Sequence, residues 1–327
     1  MKRPIILHQV IFIFLLVPVI GFSQSKKLVR QGKRVLDLKK KITLFTDAIA
    51  LDDNNLDAYF YRGLAKANLE DYLGAVLDFS TVIFKKPDAD SFYNRGNSKF
   101  ALGDFKGAYQ DYLMSLDYDR DFFPAFYNLG ITQLQLEKYD EALHSFNFLF
   151  KHFPDDVNTN IQMGLTLTEL KQHKLAILFL NKSIKLESNT DTYHNRGIAY
   201  LDMKAYKKAE ADFVKAINLD KTNDSAYYYL GVSQLFSRNF PKAIHSFKKT
   251  MSFNSLDYEA LVGLAIAYYH TNNFGEAKTC FKKARNILAS QQTYHKYIDD
   301  IALFENNSWN TNEGQIFKAY FDRLNAL

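Results

Sequence analysis

Cysteine, tryptophan and proline are scarce in this sequence: one Cys, one Trp and six Pro among 327 residues, with only 14 Gly. The lone thiol, Cys280, cannot close an internal disulfide, so packing must hold the fold, and Cys280 itself reads as a small buried hydrophobe. It also rules out thiolate zinc sites. So few turn-forming residues argue against a loop-rich β architecture and favour packed helices. The motifs G-x-S-x-G, G-x-x-x-x-G-K-[ST], G-x-G-x-x-G and H-E-x-x-H are all absent. The charge balance of 41 basic and 36 acidic residues, net +5, is too mild for a nucleic-acid face, which needs concentrated basic residues. What the chain has in excess is aromatic side chains, 28 Phe and 21 Tyr.

The N-terminus follows a separate logic. Lys2 and Arg3 precede an apolar run from Val10 to Ile20, and Gly21-Phe22-Ser23 then places small residues at the −3 and −1 positions of a cleavage site. That order is the anatomy of a secretory signal peptide, and the run is too short to span a bilayer comfortably. The expectation is a leader over residues 1–23, cleaved near Ser23/Gln24, and a periplasmic or secreted mature chain that touches membrane only if the leader stays. No Cys follows the run, so no lipid attachment is expected there.

Internal periodicity governs the remainder. Gly63, Gly96, Gly130, Gly164, Gly197 and Gly231 are spaced by 33, 34, 34, 33 and 34 residues, and the next step of 34 reaches Ala265. Twelve residues after each small residue stands Ala75, Ala108, Ala142, Ala176, Ala209, Ala243 or Ala277. Four residues further stands Phe79, Tyr112, Phe146, Leu180, Phe213, Phe247 or Phe281. Glycine inside a helix costs about 1 kcal/mol relative to alanine, so six of them imply helices crossing closely enough to return more. Pro87 and Pro154 fall between periods, and Pro124 and Pro241 fall in first helical turns, where the missing N–H is harmless.

These residues resemble the tetratricopeptide repeat family, with its period of 34 and its W-x2-L-G-x2-Y, Ala, Phe, Pro pattern, over residues 56–291. Tyr or Phe mostly stands for the family's Trp, Arg or Met replaces its Leu in four units, and the Pro survives only as Pro87 and Pro154. The resemblance implies an all-α fold: a right-handed superhelical solenoid of about seven tandem helix-turn-helix repeats with helical caps. The units run 56–88, 89–122, 123–156, 157–189, 190–223, 224–257 and 258–291. Residues 24–55 read as an N-terminal half-repeat, with Phe45 and Ala48 at second-helix positions, and 292–327 as C-terminal capping helices.

One covariation predicts a contact. Arg62, Arg95 and Arg196 precede the small residue in units one, two and five, and sixteen residues later the same units carry Asp78, Asp111 and Asp212. The other units pair Leu129, Met163, Leu230 and Leu264 with Ser145, Phe179, Ser246 and Cys280. An Arg–Asp clamp between the two helices of a unit follows, in preference to a charged binding spot. His144 and His245 stand beside Ser145 and Ser246 but three units apart, so they read as solvated helix residues, not as a nucleophile or metal site.

With no catalytic residue, metal ligand or cofactor to name, the chain reads as a non-enzyme. The resemblance implies that first helices line a concave groove and that positions 2, 5, 6, 9, 12 and 13 of each repeat meet ligand. Those positions nominate Tyr93, Asn94, Asn97, Tyr127, Asn128, Ile131, His194, Asn195 and Tyr228 as peptide-binding residues. Lys and Arg are absent there, which argues against a clamp for a peptide's C-terminal carboxylate. Tyr offers large area with a polar tip, and Asn amides suit the backbone of an extended peptide. The expected partner is a protein or peptide in the cell envelope, not nucleic acid, and the oligomeric state is left open. A carbohydrate- or peptidoglycan-binding module, or an accessory subunit of an envelope enzyme complex, is the alternative.

Overall fold

The computed structural model describes residues 21–292 and residue 323. Residues 1–20 of the expected leader, and the expected caps at 293–322 and 324–327, lie outside the described residues; residues 21–23 are helical. Every regular element among the described residues is an α-helix. The chain forms two compact units, residues 1–154 and 155–327. In the first, α1 (residues 21–34), α3 (Leu56–Asn68), α5 (Ala89–Ala101) and α7 (Phe123–Gln135) are the first helices of successive hairpins. Their second helices are α2 (Leu38–Leu51), α4 (Tyr72–Lys85), α6 (Phe105–Tyr118) and α8 (Tyr139–His152). In the second unit α9 (Val157–Glu169), α11 (Thr190–Asp202), α13 (Asp224–Phe236) and α15 (Tyr258–His270) pair with α10 (His173–Leu186), α12 (Tyr206–Leu219), α14 (Phe240–Phe253) and α16 (Phe274–Gln292).

Local signals set the helix boundaries. Asn55, Asp88, Asp156, Asn189, Asn223 and Asp257 cap first helices by accepting a backbone N–H from the first turn. α7 and α14 have no such cap bond and instead carry Pro124 and Pro241 in the first turn. The turn inside each of the seven hairpins from α3–α4 onward has one residue with positive φ. That residue is Glu70, Gly103, Glu137, Lys171, Lys204, Arg238 or Asn272, so only the second repeat places glycine where the left-handed region favours it.

The periodic small residue sits where expected. A Cβ added to Gly96 would lie 2.8 Å from the Tyr112 ring, one on Gly130 2.6 Å from Phe146, and one on Gly197 2.8 Å from Phe213. Gly63, Gly164 and Gly231 meet Phe79, Leu180 and Phe247 in the same way. Each of those six side chains is almost fully buried, and burying one contributes roughly 1.5–3 kcal/mol. The alanines twelve residues after each small position, Ala75 to Ala277, are likewise solvent-free and let the hairpins close.

Residues 24–55 hold more than the half-repeat expected of them. α1 supplies a first helix, Gly32 packs on Phe45 as the later glycines pack on their rings, and Ser25 donates to the Ala48 carbonyl at 2.7 Å. The small residue and ring of this hairpin are 13 apart in sequence, three fewer than elsewhere, through a shorter turn, so it falls outside the period of the later repeats.

Within each unit, neighbouring first helices also touch each other: α3 with α5, α5 with α7, α9 with α11, α11 with α13, and α13 with α15. Second helices pack chiefly on first helices. Each unit therefore curves locally with its first helices on the inner side. Gly130→Ala should destabilise the protein by about 1–3 kcal/mol despite alanine's better helix propensity, because the added methyl meets Phe146. Gly275→Ala, where an added Cβ meets nothing within 4 Å, should be neutral or stabilising. Urea denaturation of both variants compares them directly.

Candidate functional site

The inner face of the first unit is built on α5 and α7. Asn97 Oδ1 accepts from the Tyr112 hydroxyl at 2.8 Å and from the Asn128 amide at 2.8 Å, and Asn128 also donates to Tyr93 Oη at 3.2 Å. Tyr93 stands edge-on to Phe122 with ring centroids 5.1 Å apart, and Tyr127 stands edge-on to Phe146 at 6.0 Å. Burial, with Tyr93 alongside, pushes the Tyr112 phenol far above its ordinary range, so it stays protonated and donates to Asn97. Three nominated residues, Tyr93, Asn97 and Asn128, thus form one network across two repeats. Asn94 is aside from it and donates to the Asp90 carbonyl of its own helix at 2.8 Å. Ile131 is half-buried on α7.

This geometry corrects one expectation. Asn amides were expected to suit the backbone of an extended peptide, but the amide N–H groups of Asn128 are already engaged by Tyr93 and Asn97. Its carbonyl oxygen is the atom left to meet a donor.

The second unit is described by itself. His194 is half-buried between Phe213 and Tyr229, with ring centroids 5.6 and 5.4 Å away, and burial lowers its pKa so that it is neutral at neutral pH. Tyr228 is only 7% exposed, packed on Phe247 and Tyr229, and burial, with Glu259 alongside, pushes its phenol well above its ordinary range. It is therefore a buried support for Tyr229, not a groove-facing ring. Asn195 is half-buried on α11. Tyr229, which packs against His194 and Phe213, stands at the position where repeats two, three and five carry Asn.

The Arg–Asp pairs form as expected, and they belong to the packing. Arg62 grips Asp78 through Nε at 2.9 Å and a terminal nitrogen at 2.7 Å, and Arg95 grips Asp111 at the same distances. Arg196 holds Asp212 at 2.7 and 2.6 Å. All three carboxylates are buried. The third guanidinium nitrogen reaches back to the preceding hairpin, to Thr46, Ser80 or Asn181, so each arginine ties three helices. Lys66 and Lys99, one turn after the arginine, add a second cation 2.8 Å from Asp78 and Asp111. Where the arginine is Leu129 or Leu230, the lysine position is Gln133 or Gln234, which accepts from buried Ser145 at 2.8 Å or Ser246 at 2.7 Å. Arg-Lys-Asp and Leu-Gln-Ser are two solutions to the same crossing, and Ser145 and Ser246 are structural.

These hairpins define a helical repeat solenoid. Residues 157–190, 190–223 and 258–285 match the family Tetratricopeptide repeat, and the remaining repeats make the same glycine-on-ring and Ala contacts. The chain is a tetratricopeptide repeat protein. Among solved structures it is similar to a tetratricopeptide repeat protein from Parabacteroides merdae, with TM-score 0.60 and 17% identity over 75% of this chain and 99% of that one. It is also similar to the C-terminal part of a repeat-containing protein from Cytophaga hutchinsonii, with TM-score 0.56, 18% identity, and 74% and 99% coverage. A third likeness is to the APC/C hetero-tetramer Cut9-Hcn1, with TM-score 0.58 and 17% identity over 76% of this chain and 50% of that chain. At such identities the likeness is one of fold.

Asp111→Ser alone should destabilise the protein by about 3 kcal/mol, since it leaves Arg95 and Lys99 facing an apolar crossing without their carboxylate. Adding Arg95→Leu and Lys99→Gln transplants the Leu-Gln-Ser set and should recover stability to within about 1 kcal/mol. Thermal melts of the single and triple variants decide it, and a triple variant no better than the single rejects the two-solution reading.

Proposed function

We propose that the chain is an exported, non-catalytic protein-interaction scaffold that holds an extended segment of an envelope protein along the inner face of its first helices. The observation that carries this reading is the face itself. Neighbouring first helices touch, and they present half-buried Tyr93, Asn97, Tyr127, Asn128 and Ile131 with the Tyr93–Asn128–Asn97 network fixing their orientation. Aromatic rings locked in place give contact area at little entropic cost, and a fixed amide oxygen gives register to a backbone N–H. The tetratricopeptide family supports a binding role, and the leader-like residues 1–23 support export.

A photo-crosslinking residue placed at Asn94 or Tyr127 should form adducts with a partner segment in native envelopes. The same residue at Phe84, 90% exposed on α4, should form none. Asn94→Ala with Tyr127→Ala should weaken capture about tenfold or more while the melt stays cooperative. Equal adducts from Phe84 and the inner positions would show that the inner face is not the binding surface.

A further inference from the structure

The positive charge of the chain is concentrated in its first hairpin. Residues 26–41 hold eight basic side chains and one acidic, a net +7, while the whole chain is +5, so everything outside this stretch sums to −2. Lys26, Lys27, Arg30, Lys33 and Arg34 follow helical spacing on the side of α1 opposite Ser25, Val29 and Gly32, which are buried in the hairpin. Lys39, Lys40 and Lys41 open α2, and all eight are exposed except half-buried Lys41. Lys33 stands 4.0 Å from Asp57 and 3.8 Å over the Tyr61 ring. Lys27, Arg30, Arg34, Lys39, Lys40 and Lys41 make no ion pair among the described residues. The one carboxylate, Asp37, is engaged in capping α2, where it accepts from the backbone N–H groups of Lys39 and Lys40. Three cations in the first turn of α2 run against the helix dipole, and Arg34 just before the turn adds like charge, so folding does not account for them. Between Arg34 and Lys39 the turn presents Leu36, 93% exposed and the most exposed large apolar side chain among the described residues.

Unpaired cations around an apolar tip fit a surface that is negatively charged outside and apolar beneath. Clustered Lys and Arg are drawn to anionic lipid headgroups within a Debye length, and an exposed leucine gains by entering the acyl boundary below them. A soluble polyanion such as nucleic acid would meet the cations and leave Leu36 in water. We propose that the α1–α2 hairpin is a membrane-surface contact, with the basic side of α1 and the first turn of α2 on anionic lipid headgroups and Leu36 inserted beneath them. The contact needs no retained leader, since every residue it uses follows the expected cleavage point at Ser23/Gln24. It is separate from the inner-face groove, so either can fail without the other.

The test floats the full chain with vesicles of phosphatidylcholine alone or mixed with phosphatidylglycerol, the apolar run from Val10 to Ile20 being common to every variant. Phosphatidylglycerol should raise binding on the order of a hundredfold, and the gain should shrink as salt rises. Arg34→Gln, Lys39→Gln and Lys40→Gln together should remove most of that gain while the melt stays cooperative, because all three side chains are exposed and unpaired among the described residues. Leu36→Ser should weaken binding to the same vesicles about tenfold. Leu77→Ser, at a side chain 69% exposed on α4, should leave it unchanged. Equal binding to both vesicle types, a gain that survives the triple change, or a Leu36→Ser variant that binds as the parent does overturns the inference. An oligonucleotide that displaces the chain from vesicles, and whose own binding ignores Leu36→Ser, overturns it too and marks the hairpin as a polyanion site.

Discussion

The whole architecture depends on the contact between a small residue on each first helix, glycine in all but the seventh repeat, and the ring or leucine that faces it from the second. Without a Cβ at Gly96, Gly130 or Gly197 the two backbones can approach until Tyr112, Phe146 or Phe213 lies flat between them. The hairpin so closed cannot bury its outer apolar side alone, and stacking of the next hairpin completes it. At the seventh repeat the small residue is Ala265, and Gly263, on the same helix, packs against Phe247 of the preceding repeat.

Around that contact four of the seven repeats use one of two chemistries. A bidentate Arg–Asp pair with a second cation, and a Leu packed over a Gln–Ser hydrogen bond, both leave no polar group stranded. Neither is interchangeable piece by piece, because a carboxylate without its arginine, or the reverse, is a buried unpaired charge. In repeats one, two, three and six the crossing therefore varies as a set of three residues, while repeat five keeps Arg196–Asp212 beside Tyr200 and repeats four and seven carry Met163 with Phe179 and Leu264 with Cys280.

The same division of labour separates fold from binding. Residues that face the hairpin partner are saturated by internal contacts, and inner-face positions are only partly so. Asn128 and Tyr228 show where the boundary falls: each occupies an inward position by register, yet Asn128 has its amide N–H groups engaged and Tyr228 is packed beneath Tyr229. Side chains at equivalent positions are drawn into the packing or left facing outward according to the neighbours that adjacent repeats supply.

The helical repeat, its seven-fold recurrence between residues 56 and 291, and the Arg–Asp pairing were legible in the sequence because each depends on a fixed spacing along one chain, and helix geometry converts spacing into direction. The hairpin of α1 and α2 was hidden because a turn three residues shorter breaks that spacing without disturbing the contact. Which nominated residues cooperate was decided only in three dimensions. Tyr93, Asn97 and Asn128 meet across two repeats, and Tyr229 stacks on Phe213 and meets His194 of the preceding repeat. Periodicity determines which face a residue occupies. The angle at which one hairpin stacks on the next determines what shares that face with it, and that angle is set by the sum of many packing contacts and no single motif.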